Sequence, residues 1–182
     1  MTAIRETLTL EEVAAIVCTA LERHGIRAVL SGGSVVSIYS DNEYESKDLD
    51  FIIEGIAKRV DPAMQELGFQ RQVGRHWTHP HSEFWVEFPP GPLQVGDQIV
   101  TNVAERRTAF GVLRLLRPTE CVMDRLAAYY HWNDPQGLDQ ALSVARRHEI
   151  DLRAIEDWSR RERATAKLQD FLDRLEAERT RG

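Results

Sequence analysis

The sequence has no apolar run approaching the roughly 18 to 20 residues that a membrane-spanning helix needs, and its start lacks the basic-then-apolar pattern of a secretory signal. No membrane partner is expected, and a cytoplasmic location is the default expectation. Cysteine is scarce: Cys18 and Cys121 are the two present. They show no CxxC spacing and no histidine at ligand distance, and each falls in an amphipathic helical stretch. A disulfide scaffold and a thiolate zinc centre are therefore excluded, and two buried free thiols are predicted. Positive charge is not in excess. Against 29 acidic residues stand 23 Lys and Arg, a formal charge of −6, so the chain is not a bulk nucleic-acid binder, although a local basic contact stays open. Internal repeats and low-complexity linkers are also missing, which excludes a solenoid. What remains is an ordinary globular composition, 42% hydrophobic and 29% charged over 182 residues, enough for one core.

Thr9-Leu10-Glu11-Glu12 is a capping box, with Thr9 at the N-cap and Glu12 at N3. It opens a helix whose Val13, Ile16, Val17, Ala20 and Leu21 recur at helical spacing and which Gly25 closes. Ile26 to Leu30 reads as a strand, Ser31-Gly32-Gly33-Ser34 as a turn, and Val35, Val36 and Ile38 as the face of a brief helix. After a polar loop, Asp48 to Ile53 reads as a strand, followed by a helix over about 56–67 ending at Gly68 and a strand over 69–73. Glu83 to Phe88 alternates as a strand, with Phe84, Val86 and Phe88 on one face and Glu83, Trp85 and Glu87 on the other. Residues 98–116 predict an antiparallel pair turning near Arg106 and Arg107. From Pro118 the chain becomes helical, with Thr119, Asp134 before Pro135, and Asp151 as successive helix starts. The expected fold is α+β: a mixed sheet flanked by helices over residues 1–117, with a helical extension over 118–182 packed on the same unit.

Two features carry chemistry. A Gly-Gly turn between strand and helix lets backbone N–H groups approach an anion, and phosphate is its natural guest; taken alone, a tight turn needing positive φ is the plainer explanation. Asp48 and Asp50, two apart on a strand of Leu, Phe and Ile, share one face and repel each other. A hard divalent cation such as Mg²⁺ relieves that repulsion while reaching substrate phosphates. A solvated strand end, or pairing with Lys47, is the plainer alternative. Glu87 is the third carboxylate, with a solvated edge residue as its alternative, and Asp97 is held in reserve, since a turn accounts for it as well.

Taken in order, Gly32-Gly33-Ser34, then Asp48 and Asp50, then Glu87, the chain resembles the polymerase-beta-like nucleotidyltransferase superfamily. The segments Ser46-Lys47-Asp48-Leu49-Asp50-Phe51, Val86-Glu87-Phe88-Pro89-Pro90-Gly91-Pro92-Leu93 and Pro118 to Asp134 resemble small bacterial nucleotidyltransferase proteins of the abortive-infection and toxin–antitoxin type. The likeness covers about residues 28–145. It implies a nucleotidyltransferase-like sheet, with one or two Mg²⁺ on Asp48, Asp50 and Glu87. It also implies a nucleoside triphosphate (NTP) gripped by Gly32, Gly33 and Ser34, and a helix bringing Asp124, Arg125 and His131 to the nucleotide. A structural salt bridge is the alternative for Asp124 and Arg125.

The activity so implied is transfer of a nucleoside monophosphate from an NTP to an unidentified acceptor hydroxyl on a small molecule, a protein or RNA. A toxin role with a cognate small protein partner comes with it. A catalytically silent binding module of the same fold is the competing reading, and a metal-dependent nuclease is a third that gives the glycine turn no role. His76, His79 and His81 cluster without a Cys or a helical HxxxH, which predicts solvent-exposed loop histidines rather than zinc ligands. Arg71 and Arg75 beside them read as surface cations, within reach of a triphosphate or an acceptor.

Overall fold

The computed structural model describes residues 3–53 and 57–180. Its first helix, α1 (Leu10–Arg23), starts as its capping box dictates. The Thr9 hydroxyl accepts from the Glu12 amide, and the Glu12 carboxylate accepts from the Thr9 amide at 2.8 Å. Its inward residues Val13, Val17 and Leu21 are fully buried, each such side chain contributing about 1.5–3 kcal/mol. The helix stops at His24, and Gly25 takes the left-handed conformation that lets the chain turn into β1 (Ala28–Ser31).

The main sheet has seven strands. β1 is followed by α2 (Gly33–Tyr39) and β2 (Asp48–Ile53); a 3₁₀ turn (Ala57–Val60) and α3 (Asp61–Glu66) lead to β3 (Gln70–Arg71), β4 (Trp77–Thr78) and β5 (Trp85–Glu87). A separate hairpin of β6 (Gln94–Val95) and β7 (Gln98–Ile99) precedes β8 (Ala104–Thr108) and β9 (Gly111–Leu115). The spatial order is β3-β4-β5-β2-β1-β9-β8. β2 runs antiparallel to β1 and parallel to β5, and β9 runs parallel to β1, so the sheet is mixed. Leu30, Leu49, Phe51 and Val86 are fully buried on one side, where α1 packs on β1 and β9. Phe88 stacks on Phe51. The opposite side, carrying Asp48, Asp50 and Ile52, is only partly covered.

Four helices complete the chain: α4 (Pro118–Trp132), α5 (Pro135–Arg147), α6 (Leu152–Arg161) and α7 (Thr165–Arg179). Asp134 and Asp151 cap α5 and α6 through their side chains, with Pro135 at the first helical position of α5. α4 and α5 pack closely because Gly137 lies against the Arg125 carbonyl, where an added Cβ would stand 2.7 Å from the oxygen. Leu126, Leu138 and Phe171 join the same hydrophobic cluster as Val13 and Leu30.

Several local expectations are corrected. The hairpin turn lies at Ala109 and Phe110, while Arg106 and Arg107 are mid-strand, paired with Leu113 and Val112. Gly111 sets this register: at φ +133 it fits beneath Thr19 of α1, whose hydroxyl accepts from the Val112 amide at 3.1 Å. Thr119 does not cap α4. Arg117 holds that position with Pro118 at the first turn, and the Thr119 hydroxyl accepts instead from the Asp151 amide at 3.0 Å. The 69–73 strand shrinks to two residues, and the helix expected over 56–67 begins as a 3₁₀ turn, with residue 56 outside the described residues.

Candidate active site

β1 and β2 bring the glycine turn to the acids. In the antiparallel register Ser31 lies opposite Asp50, so the turn that follows Ser31 starts one residue from the Asp50 carboxylate. Gly32 has φ +72 and ψ −154, and a Cβ there would meet Asp50 Oδ2 at 2.8 Å. Both its conformation and its crowding therefore require glycine. The Ser31 hydroxyl donates to the Asp50 carbonyl at 3.2 Å and ties the two strands at this point.

β5 supplies the third carboxylate. Its parallel register sets Glu87 beside Asp50 and Trp85 beside Asp48, and registered neighbours on adjacent strands share a face about 4.8 Å apart. Asp48, Asp50 and Glu87 thus form an acidic triangle on the open side of the sheet. Burial pushes the Asp50 carboxyl up to about 6, with the Glu87 and Asp48 charges adding to the shift and Arg125 opposing it. Two buried polar atoms on this face have no hydrogen-bond partner among the described residues, Asp48 Oδ1 and Trp85 Nε1. An acceptor and a donor left unpaired on one face are open to a polar guest or to water.

α4 approaches from the other side. Asp124 lines a groove with Ser31, Gly32, Asp50, Leu116 and the 89–94 segment. Arg125 turns back from it, bonding the Asp124 carboxylate and reaching Gln140 Oε1 at 3.3 Å. The salt bridge foreseen as the alternative for this pair is therefore present. Gly33 faces Tyr44 and Ser46. Ser34 is fully buried and its hydroxyl donates to the Ser31 carbonyl at 3.1 Å, so it braces the turn from behind rather than facing the groove. α2 has only seven residues, too short for much of a helix dipole, so the turn's own N–H groups are what an anion would meet.

His131 is not brought to this groove. It lies toward the far end of α4, bonded to Glu162 at 2.8 Å, and Glu162 also accepts from the Asp97 amide. Asp97 is thereby a turn residue beside α6. The histidine trio divides: His79 and His81 stay together, their ring centroids 5.8 Å apart and the His81 amide donating to His79 Nδ1 at 3.1 Å, while His76 lies apart. His76 Nε2 lies 3.2 Å from Glu87 Oε1 and His81 pairs with Glu6. His79 packs on the Phe69 ring and is partly buried rather than solvent-exposed. Arg71 and Arg75 line a small cleft with Trp77 and Asp61 on the sheet's edge.

Among the described residues no three His, Cys, Asp or Glu side chains converge to metal-ligand spacing as they stand. The donor set nonetheless fits a hard divalent cation: three carboxylates, one with an unpartnered buried oxygen and one whose hold on its proton is raised by burial and then by its acidic neighbours. Sequence reasoning gave no role to Trp85 or, Asp97 apart, to residues 94–103, which with 89–93 line the groove and the cavity beside it. Trp85 was legible in the alternation of β5, whereas nothing local marked that lining.

The fold these elements make is that of the nucleotidyltransferase-like proteins. It is similar to the crystal structure of an antigenic nucleotidyltransferase-like protein from Paracoccidioides brasiliensis, with a TM-score of 0.56 and 15% identity over 74% of each chain. Weaker likenesses join it to the antibiotic-resistance factor ANT(2'')-Ia. Its solution structure aligns at TM-score 0.45 and 11% identity over 94% of this chain and 95% of that one. Its crystal structure with adenylyl-2''-tobramycin aligns at TM-score 0.46 and 11% identity over 91% and 97%. At that level the two alignments fix nothing about the site. No protein-family model matches the sequence, and no curated protein matches it.

Proposed function

We propose that this chain is a Mg²⁺-dependent nucleotidyltransferase that moves a nucleoside monophosphate from an NTP to an acceptor hydroxyl. The observation that carries the reading is the placing of Asp50, pressed between the Gly32 turn on β1 and Glu87 on β5. On this reading the phosphate-suited backbone and the crowded carboxylates work as one site. Asp48, Asp50 and Glu87 would hold the cation, which supplies neutralisation of their charge and polarisation of the phosphate oxygens.

The chain's own groups do the rest. The N–H groups of Gly32 and Gly33 receive the β- and γ-phosphates and hold the leaving pyrophosphate. As the alternative to its cation role, Glu87, contacted at Oε1 by His76, is the base that takes the acceptor's proton as the acceptor oxygen bonds to the α-phosphorus and the bond to pyrophosphate breaks. Asp124 stands at the groove's far wall, with Arg125 balancing its charge. Ser34 keeps the turn in shape through Ser31.

The test is label transfer from an NTP carrying a labelled α-phosphate to acceptors in a cell extract. Asp48→Asn reduces transfer at least a hundredfold while its circular dichroism matches the parent; undiminished transfer sinks the assignment. A silent nucleotide-binding module is the second reading, favoured by the His76–Glu87 contact and by carboxylates that are adjacent without being gathered. Calorimetry with each NTP and Mg²⁺ separates the two, since binding without pyrophosphate release marks the silent module. The resemblance to toxin–antitoxin nucleotidyltransferases adds the finer reading that the chain is the toxin half of a pair, with a small cognate protein as partner. Co-purification of a neighbouring gene's product tests that part.

A further inference from the structure

Beyond Asp50 the open face of the sheet changes character. Ile52 and Val29, paired across β2 and β1, form the floor of a cavity of about 550 Å³, whose roof is Leu93, Ile99, Val100 and Val103. The cavity shares Ile52, Gly91, Pro92 and Leu93 with the groove that holds Asp50 and Gly32, so the two adjoin. Its size is that of a small-molecule site. Among its described lining residues the single charged side chain is Arg27. Glu22 and Glu105, which line a neighbouring cleft with Arg27, are both occupied by Arg114, at 2.6 and 3.0 Å. Arg27 itself makes no ion pair among the described residues.

Position along the strands says which substrate belongs here. The Gly32 turn leaves one end of β1, Asp50 sits beside it, and Ile52 lies two residues further on the same face, about 7 Å away. In phosphoryl transfer the entering and leaving oxygens stand on opposite sides of the phosphorus. With pyrophosphate departing toward the turn, the attacking hydroxyl enters from the side of Ile52 and Val29.

Resting on the nucleotidyltransferase reading above, we propose that this cavity is the acceptor subsite and that it takes a small alcohol with an apolar body and an anionic group, the latter met by Arg27. A polycationic acceptor finds no carboxylate among the described lining residues to replace its hydration. A polynucleotide is too polar for these walls.

Calorimetry with two probes of equal shape, 2-naphthoate and 2-naphthylmethylammonium, tests the assignment. Naphthoate binds the native protein at least tenfold more tightly than the ammonium probe; Arg27→Glu abolishes or reverses that preference, and Val103→Trp, which fills the cavity, weakens both probes at least tenfold. Equal affinity for the two probes in the native protein, or naphthoate binding unchanged in Val103→Trp, overturns the proposal. Neither variant touches the Asp50 groove, so ATP with Mg²⁺ is titrated into all three proteins in the same series. ATP is one of the four common NTPs titrated in turn: failure of all four to bind the native protein removes the nucleotidyltransferase reading and the acceptor role with it, whereas normal binding of any one of them with indifferent probes removes the acceptor assignment alone.

Discussion

Replacing Asp50 by Asn should stabilise the metal-free protein at neutral pH. Folding moves this carboxyl from the ordinary 3.8 up to about 6, with burial as the main cause and the neighbouring Glu87 and Asp48 charges next. A group whose acid form is favoured on folding binds its proton more tightly in the folded state. Stability therefore falls as pH rises from 3.8 through 6, and the full cost is borne above 6. Two pKa units correspond to about 3 kcal/mol; partial solvent access on the open face trims this to about 1–2 kcal/mol. Asparagine is isosteric, and among the described residues the side chain makes no hydrogen bond that its loss would break, the Ser31 bond being to the Asp50 main chain. In thermal unfolding with EDTA at pH 7.5, Asp50→Asn is expected to melt about 3–8 °C above the parent, and the difference should vanish near pH 4. Added Mg²⁺ should raise the parent's melting temperature and leave the variant's unchanged, since a ligand of the folded state alone stabilises by mass action. An unchanged or lower melting temperature at pH 7.5, or an equal gain at pH 4, would refute the argument.

Two glycine substitutions probe the geometry. Gly32→Ala puts a Cβ 2.8 Å from Asp50 Oδ2 at φ +72, which should cost about 1–3 kcal/mol in denaturant unfolding and displace the carboxylate. NTP affinity should drop at least tenfold, and a variant that binds NTP normally would mean the turn does not receive phosphate. Gly137→Ala drives a Cβ to 2.7 Å from the Arg125 carbonyl between α4 and α5. It should destabilise by about 1–3 kcal/mol through overpacking, and a neutral result in urea unfolding would show that the two helices separate without penalty.

The parts of this fold that the sequence disclosed are those governed by neighbouring residues. Thr9 and Glu12, or Asp134 with Pro135, carry their whole instruction within four positions, and alternation alone put Asp48 and Asp50 on one face of β2. Decisions taken between distant segments were not legible. Arg106-Arg107 has the polarity of a turn, yet the turn moved to Ala109 and Phe110 because Gly111 alone fits under Thr19, about ninety residues earlier. Thr119 looked like a cap, but Pro118 had already set the first turn and the hydroxyl was claimed by the start of α6. The candidate site divides the same way. The turn and the aspartates are local motifs, the pairing of β5 with β2 that brings Glu87 to Asp50 is not, and the burial of Ser34 and the removal of His131 to Glu162 depend on packing that no short window contains.

The three carboxylates ride on the adjacent, paired strands β2 and β5, while everything that roofs the groove and its cavity comes from residues 89–103, outside the main sheet. A one-residue slip of β2 would send Asp48 and Asp50 into the core and Leu49 and Phe51 into water, so the acids are locked to the register that holds the whole sheet. The roof has no such tie. Substitutions there can resize or recharge the cavity one residue at a time while the acids stay where they are, which makes the 89–103 segment the natural place to alter what the protein accepts without rebuilding how it reacts.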